Sequence, residues 1–418
     1  LTENMARTRC PLHSRARKKS RRAGDTVTMM ARIEIDRPTT GASKLLGLEL
    51  IRFACAMMVL IFHYKHFAMI GGGAISPDIL PFAVPLSLIY GFGDYGVQIF
   101  WCISGFILYW KYADAFAARR VEPKRFFWLR FSRLYPLHIA TLLIVAGLQP
   151  FYVALAGKPF IYDNNGAASF MLQLFLADQW AASRELSFNG PIWSVSAEVL
   201  VYIAFFLLLR LFGKSPWLIA AAVGASLWSI WSGSISPALV CGGYFFAGGG
   251  AALWLGSNRS RARPAEARRI ALTMIGACIT ATLWLDMGGN GGDTAATWLM
   301  AVTPPLLFLA ARDMPSLERW QAPIQAAGNL TYSTYLIHFP LQLAVAIGAL
   351  ASGISLPVGE PWFLIAYLAA TLIIGRIVFV KFEAPAQQWI RSAALSPKTA
   401  GSPRVPKAAP RRVGVEVP

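Results

Sequence analysis

Charged side chains are scarce in this chain. Only 14% of its 418 residues are Asp, Glu, Lys or Arg, whereas 56% are hydrophobic. A typical soluble domain has about 25% charged residues, so this composition excludes an ordinary soluble protein. The apolar segments run for about 17 to 23 residues, enough to cross a bilayer as a helix, and they lack the alternation of barrel strands. The sequence therefore predicts an all-α membrane protein.

Acidic residues are especially few, with 21 Asp and Glu against 39 Lys and Arg, and the net charge is +18. This surplus could suggest a nucleic-acid partner. The basic residues, however, concentrate in the two tails and in some of the segments between apolar stretches. Such a distribution is typical of membrane topology, with attraction to anionic headgroups as a by-product. The expected partner is the lipid bilayer, not nucleic acid.

Cysteine is also rare. Four of the five cysteines, Cys55, Cys102, Cys241 and Cys278, fall in apolar segments, and Cys10 lies in the basic N-terminal tail. An odd number without a Cys-x-x-Cys spacing predicts neither a disulfide framework nor a zinc site. We expect these cysteines to pack in the core, and we expect no metal.

Ten apolar segments are predicted to span the membrane: 45–67, 97–111, 134–151, 192–212, 216–232, 237–255, 270–287, 295–311, 329–349 and 362–380. The second is short and could extend back towards Ile89 or be tilted. An even number of spans places both termini on the same side. The expected fold is a bundle of about ten transmembrane helices.

The connecting segments differ in charge. On the side of the termini, 111–133, 210–214, 257–269 and 312–319 all carry Lys or Arg, whereas the opposite segments 68–96, 164–189, 288–294 and 351–361 carry only Arg184. Lys and Arg accumulate in cytoplasmic loops. Both termini are therefore predicted to be cytoplasmic, in a multi-pass protein of the bacterial plasma (inner) membrane.

Three regions are predicted along the chain. Residues 1–44 are expected to form a basic, disordered cytoplasmic tail without a secretory signal, because they contain no apolar core. A start-site artefact is one interpretation of its first part, since the chain begins with Leu and Met29 and Met30 would open a shorter tail. Residues 45–390 are the predicted transmembrane domain, and 391–418 a basic, Pro-rich, disordered cytoplasmic tail.

The first span carries two polar side chains, Arg52 and His63. An isolated charge at bilayer depth costs roughly 2.5–3.5 kcal/mol on insertion scales, so such residues indicate function. Eleven positions are close to three helical turns, which places both side chains on one face about 16 Å apart. The spacing predicts one wall of a polar path through the bundle.

Five polar strings interrupt the apolar background. They are Leu-Glu-Leu-Ile-Arg at 48–52 followed by His63, Phe-Trp-Cys-Ile-Ser-Gly-Phe at 100–106, Arg-Phe-Ser-Arg-Leu-Tyr-Pro at 130–136, Trp-Ser-Val-Ser-Ala-Glu at 193–198, and Tyr-Ser-Thr-Tyr-Leu-Ile-His at 332–338. Together, and in this order, they resemble acyltransferase family 3, which includes O-acetyltransferases of bacterial surface polysaccharides. The resemblance covers roughly residues 45–385.

The resemblance implies an Arg-x10-His pair on the first helix, which Arg52 and His63 supply, and an Arg-x-x-Arg string before the third helix. It also implies a Phe-Phe-x-x-Ser-Gly-Phe string, in which Trp101 replaces the second Phe. Two further departures are Gln98 and Val199, where acidic residues are common in the family. These departures concern substrate contacts more than the reaction class.

His63 is the predicted general base, because the ordinary pKa of histidine, about 6.5, suits proton transfer near neutral pH. The alternative is a histidine that ties helices together. Arg52 could neutralise a phosphate, polarise a thioester or pair with a carboxylate, and its alternative is a structural ion pair with Glu49 or Glu198. Glu198 could orient His63 or act as a second acid–base group, unless it only stabilises a helix N-terminus.

Arg130 and Arg133 are predicted to bind the phosphates of a cytoplasmic acyl-CoA, although positive-inside charge alone would also place arginines there. Ser104 could line the cavity or donate to an oxyanion, while Gly105 allows close helix packing. Tyr335 and His338 share one face of the ninth span, and an interfacial aromatic belt is the alternative for the tyrosine. The residues expected to line the cavity are Glu49, Ser104, Trp193, Ser196, Tyr335 and His338.

The resemblance implies an O-acyltransferase that moves an acyl group, most simply acetyl, from cytoplasmic acyl-CoA to a hydroxyl of a glycan, glycolipid or glycoside. The acyl-CoA is a co-substrate, and no permanently bound cofactor is expected. The alternative is a transporter or flippase, because ionisable residues within a bundle also mark transport pathways. A third possibility is an inert assembly protein, which would not require Arg52 and His63 on the first helix.

Overall fold

The computed structural model describes residues 45–73, 77–180, 185–233, 235–285, 291–312 and 314–395. The helices are α1 (Leu46–His63), α2 (Ser87–Phe92), α3 (Gly96–Ala117), α4 (Pro123–Ala156), α5 (Ala167–Leu174), α6 (Ile192–Phe212), α7 (Pro216–Trp231), α8 (Pro237–Gly256), α9 (Asn258–Ala262), α10 (Pro264–Leu285), α11 (Gly291–Ala310), α12 (Pro315–Glu318), α13 (Gln321–Ser352), α14 (Pro361–Val378) and α15 (Ala384–Leu395). Three 3₁₀ turns (Tyr64–Gly72, Pro77–Ile79 and Gly93–Tyr95) and one π turn (Phe379–Glu383) complete the set. The described ranges contain no strand, which confirms the all-α prediction.

Seven segments of the described chain are long and apolar enough to cross a membrane, judged by length and composition. They are Leu46–Gly72, Pro123–Ala156, Ile192–Phe212, Pro237–Gly256, Asp293–Ala310, Gln321–Ser352 and Pro361–Leu395. All ten predicted spans coincide with helices, but α3, α7 and α10 fall outside this group of seven. The number of ten and the cytoplasmic termini therefore stay predictions.

Local sequence sets where several helices begin and end. Pro237 starts α8 at the first helical position, where its missing N–H costs nothing, and the Ser236 hydroxyl before it accepts a bond from Leu239 N at 3.4 Å. Gly157 and Gly353 end α4 and α13 with φ of 73° and 68°, a left-handed conformation that favours glycine.

The observed helices differ from the prediction at two boundaries. Helix α4 begins at Pro123, eleven residues before the predicted start of the third span at 134, so Arg130 and Arg133 lie within the helix and not before it. At the other end, α15 continues to Leu395. Helix α15 thus extends five residues beyond the predicted boundary at 390, while the expected tails, 1–44 and most of 391–418, lie outside the described residues.

Helix α6 separates two kinds of apolar side chain. Ile203, Leu207 and Leu211 recur every four residues and are exposed, whereas Phe205 and Leu209 on the other side are fully buried. Both faces are hydrophobic, and a helix that is apolar all round is typical of a membrane span. The exposed stripe therefore suits contact with lipid.

The tightest helix pair is α3 with α8. A Cβ atom on Gly105 would overlap the carbonyl oxygen of Phe245, and one on Gly248 would overlap that of Cys102. These small residues let the two backbones approach, which is how helices associate without a hydrophobic driving force between them. The expected packing role of Gly105 is confirmed. Cys55, Cys102 and Cys241 are buried thiols, as predicted, and Cys278 is half-buried.

Replacement of Gly105 by Ala is expected to destabilise the protein by about 1–3 kcal/mol, because the obstacle is backbone and cannot rotate away. Thermal unfolding in detergent measures the effect. Gly276 in α10 is the matched control, since a Cβ there meets nothing within 4 Å and Gly276→Ala should leave the protein as stable or slightly more stable. Equal melting temperatures for Gly105→Ala and the wild type would contradict the close packing.

Candidate functional site

Arg52 joins α1 to α13. Its Nη1 donates to Glu49 Oε2 at 3.0 Å and its Nη2 donates to Thr331 Oγ1 at 3.2 Å. Gly328 makes room for this arrangement, because a Cβ at that position would overlap the Glu49 carboxylate. The ion pair with Glu49, one of the alternatives considered for Arg52, is therefore present. The Arg52 side chain is still 19% exposed in this arrangement.

Glu198 approaches the same region from α6. Its carboxylate accepts a bond from the Tyr202 hydroxyl at 2.7 Å and another from Ser104. The positive charges that act on it are those of Arg130 and Arg52. Because Glu198 lies in the second turn of α6, and the helix dipole is felt mainly in the first, a helix N-terminal role does not explain it.

Arg133 forms a partly buried ion pair with Glu383. Its Nη1 donates to Glu383 Oε1 at 3.1 Å, and the Ser333 hydroxyl donates to the other carboxylate oxygen. Glu383 is only 2% exposed and belongs to the π turn between α14 and α15. Such turns inside helices often occur at functional sites, and here the turn brings an acid against α4.

Arg130 behaves differently from Arg133, its neighbour one turn away. Its guanidinium lies 5.9 Å and 5.8 Å from the ring centroids of Phe126 and Tyr202, and its Nε is buried without a hydrogen-bond partner. Within the described part of the chain it forms no ion pair. We call Glu49, Arg52, Arg130, Arg133, Glu198 and Glu383 the charged cluster.

The other end of α1 carries three histidines. The ring centroid of His63 lies 5.0 Å from that of His66 and 5.0 Å from that of His338 on α13. His66 is 5% exposed and His338 is fully buried, while His63 is half-buried. We call these three residues the histidine cluster.

Hydrogen bonds define the tautomers of this cluster. Nδ1 lies 2.8 Å from the Val59 carbonyl oxygen in His63, 3.1 Å from Gln342 Oε1 in His66 and 2.6 Å from the Tyr335 carbonyl oxygen in His338. These oxygens only accept, so each Nδ1 carries the proton. In the neutral imidazoles each Nε2 then holds a lone pair, and Nε2 of His338 is buried without a partner. The cluster can therefore accept protons.

Tyr335 links α13 to the start of α6. Its hydroxyl donates to the Pro191 carbonyl at 2.8 Å and lies 2.8 Å from Ser194 Oγ. Trp101 donates from Nε1 to the Ser194 carbonyl at 3.2 Å, and its ring packs edge-on against Trp193. Tyr335 is only 8% exposed. It therefore belongs to the interior, and an interfacial aromatic belt does not account for it.

Ser196 is fully buried, and its hydroxyl accepts a bond from the backbone N–H of Gln179 at 3.1 Å. Its own carbonyl accepts from the indole of Trp180. These contacts hold the segment between α5 and α6 against the bundle. Ser196 therefore has a structural role and does not line an open cavity.

The structure thus separates the predicted residues into two groups. Arg52, Glu49, Arg130, Arg133, Glu198 and Ser104 meet around the charged cluster. His63 and His338 meet in the histidine cluster, with Tyr335 beside His338. Glu198 lies with the arginines, whereas the ring contacts of His63 are with His66, His338 and Phe62. Orientation of His63 by Glu198 finds no support in this placement.

Sequence reasoning missed four polar residues at these clusters: His66, Thr331, Gln342 and Glu383. A signal existed for His66, which follows His63 by three positions and so lies on the same side of the chain. No local signal marked Gln342, a single amide in an apolar span. In the described part of the chain, no three His, Cys, Asp or Glu side chains are arranged to hold a metal ion.

Comparison with known proteins identifies the family. The family model described as an acyltransferase domain matches residues 45–380. The acyltransferase MdmB of Streptomyces mycarofaciens is 25% identical over 364 residues, which cover 76% of this chain and 88% of that protein. No solved structure matches the chain. The matched residues include the whole histidine cluster and every member of the charged cluster except Glu383. Because the match spans most of its length, the chain belongs to acyltransferase family 3.

Proposed function

We propose that this protein transfers an acyl group, in the simplest case acetyl, from cytoplasmic acyl-CoA to a hydroxyl of a cell-envelope or secreted glycan, glycolipid or glycoside. The observation that carries the proposal is the pairing of two polar clusters along α1 in a chain of this family. Arg52 lies in one and His63 in the other, eleven residues and about 16 Å apart along the helix.

The two clusters suit the two substrates. A CoA thioester carries phosphates and needs cations, whereas an acceptor hydroxyl must lose a proton and needs a base. Arginines of the charged cluster supply the first, and the histidine cluster supplies the second. The flexible pantetheine arm of the donor would carry the thioester across the intervening distance.

In the proposed step, His63 Nε2 takes the proton of the acceptor hydroxyl as the oxygen attacks the thioester carbonyl carbon. The new C–O bond forms and the C–S bond breaks, which releases the CoA thiolate. The imidazolium then returns its proton to this sulfur, so that the products are the ester and CoA thiol. Arg52 lies about 16 Å from His63 along α1, so it helps to hold the phosphate-bearing part of the donor and does not contact the reacting carbonyl.

The charge balance supports binding of an anionic donor. The charged cluster contains three arginines and three glutamates, and the exposed Lys111 of α3 interacts electrostatically with all three arginines and with Glu49. One positive charge is therefore in excess. Arg130 is the stronger of the two predicted donor contacts, because Arg133 is already paired with Glu383.

Replacement of Arg130 by Ala is expected to raise the KM for acyl-CoA by about tenfold to 100-fold with little change in kcat, because a charged hydrogen bond contributes about 1.5–3 kcal/mol. Initial rates at varied acyl-CoA concentration measure the effect. Arg319→Ala is the control, since it removes one exposed positive charge of the same predicted side without touching the charged cluster. An unchanged KM in Arg130→Ala would remove Arg130 from donor binding.

The Lys- and Arg-rich segments support a location in the bacterial plasma membrane with both termini in the cytoplasm. In that orientation the Arg52 end of α1 faces the cytoplasmic donor, and the His63 end faces the outer acceptor. This is also the reason to expect that the protein delivers acyl groups to the exterior without moving the glycan itself.

Membrane vesicles of opposite orientation test the proposal. Labelled acetyl-CoA, which does not cross membranes, is added to inverted and to right-side-out vesicles from bacteria that express the protein, and alkali-labile label is measured in the glycan fraction. We expect label only in inverted vesicles, and none in vesicles from the host without the protein. Absence of label in both orientations, together with movement of glycan across the membrane, would replace the proposal by transport.

A further inference from the structure

Gln342 lies at the centre of the histidine cluster. Its Nε2 donates to the His63 carbonyl oxygen at 2.8 Å and to the Tyr367 hydroxyl at 3.1 Å, while its Oε1 lies 3.1 Å from Nδ1 of His66. The side chain is fully buried. One amide from α13 therefore contacts the C-terminus of α1, the 3₁₀ turn after it and α14.

The chemistry of these partners fixes the amide. A backbone carbonyl can only accept, so Nε2 must face His63, and Oε1 must then face His66. Because an amide oxygen also only accepts, Nδ1 of His66 carries the proton and its Nε2 holds the lone pair. The amide thus determines the tautomer of one imidazole and fixes the backbone that holds the other.

Apolar packing leaves this arrangement little freedom. Tyr64, Phe67 and Tyr367 pack together on one side of the 3₁₀ turn. On the other side, Phe160 and Phe339 lie against His66 with ring centroids 6.4 Å and 6.1 Å away. A side chain confined in this way holds a reactive geometry that exposed residues cannot hold.

We propose that Gln342 is a positioning residue for acyl transfer: its amide keeps His66 in the Nδ1–H tautomer and holds the His63 carbonyl, so that the His63 ring stays in place with Nε2 ready to accept the hydroxyl proton. The proposal rests on the proposed function for its catalytic consequence, but the tautomer itself can be observed separately. Gln342 touches the histidines and acts through them.

Two variants separate positioning from bulk packing. In Gln342→Leu both contacts to the histidine cluster and the contact to Tyr367 are lost, and kcat is expected to fall by up to about 100-fold, since small misplacements of reacting groups have effects of that size. In Tyr367→Phe, the matched control, the amide keeps both of its contacts to the cluster and kcat should stay near the wild-type value. A loss as large in Tyr367→Phe as in Gln342→Leu would reduce Gln342 to a helix tie and overturn the proposal.

A third variant gives a reading that packing alone cannot produce. In Gln342→Glu a carboxylate replaces the amide beside the His66 ring and the His63 carbonyl, and its negative charge favours a proton on either imidazole. Protonation of the cluster then removes its base at higher pH, so the acid limb of the pH–rate profile should move up by at least about one unit. The other titratable groups facing the cluster are Lys65 on the same turn, His338 and Tyr335 on α13, Tyr367 on α14 and Tyr162 between α4 and α5. An acid limb at the wild-type position would overturn the proposal.

The tautomer is measured by the ¹⁵N shifts of histidine-labelled protein. We expect Nδ1–H signals for His66 in the wild type and their loss in Gln342→Leu. If the wild type transfers no acyl group but its ¹⁵N shifts differ from those of Gln342→Leu as expected, the proposed function is refuted and the positioning of His66 stands. Identical shifts in both proteins would refute the positioning, whatever the activity.

Discussion

Replacement of His63 by Ala is expected to lower kcat for acyl transfer by about 10²–10⁴, with the KM for acyl-CoA close to the wild-type value. The base is lost, while the donor contacts lie about 16 Å away along α1 and stay in place. Steady-state rates at varied acyl-CoA concentration separate the two constants. The effect should be the largest of any single substitution in the histidine cluster, because His63 is the one member that is half-buried rather than enclosed.

His63→Gln provides the matched variant. Glutamine can donate a hydrogen bond, as Nδ1 of His63 does to the Val59 carbonyl, but it is not a base at any relevant pH. If His63 acts as the base, both variants lose activity and added imidazole restores part of it in His63→Ala. If His63 only ties the helices, His63→Gln keeps most of the activity. A kcat within twofold of wild type in His63→Ala would remove His63 from the mechanism.

The sequence was most informative where the relevant geometry is local. The eleven-residue interval between Arg52 and His63 predicts one helix face because helical periodicity depends only on the chain itself. The two residues do lie at the two clusters. In the same way, Arg130 and Arg133 are three positions apart in the sequence, and within α4 this interval places them one turn apart.

Partners that are distant in the chain were not predictable. Glu383 meets Arg133 across 250 residues and Gln342 meets His66 across 276. Neither pairing has a local pattern, since a helix face does not specify which other helix it contacts. The π turn that presents Glu383 also interrupts the regular period from which faces are predicted.

The placement of Glu198 shows the same limit. Its position near the start of a span predicts proximity to His63, because the charge pattern of the connecting segments places both residues towards the side opposite the termini. The structure instead directs its carboxylate to Tyr202 and Ser104, with Arg130 and Arg52 as the nearby charges. Side-chain direction depends on helix rotation, and rotation is set by packing such as that of α3 on α8.

Replacement of Arg133 by Ala is expected to destabilise the protein by about 3–5 kcal/mol, because it leaves Glu383 as a buried acid without its cation. Glu383 is 2% exposed, and only the Ser333 hydroxyl would still bond to it. Thermal unfolding in detergent should show a large fall in the melting temperature. The loss of activity should follow the loss of folded protein, in contrast to the KM effect expected for Arg130→Ala.

The double variant Arg133→Ala/Glu383→Gln identifies the cause. Removing the charge of the acid as well should recover much of the stability, and the difference between the double variant and the sum of the single ones gives the coupling energy. A double variant no more stable than Arg133→Ala would show that the arginine contributes through packing or donor contacts instead of the ion pair.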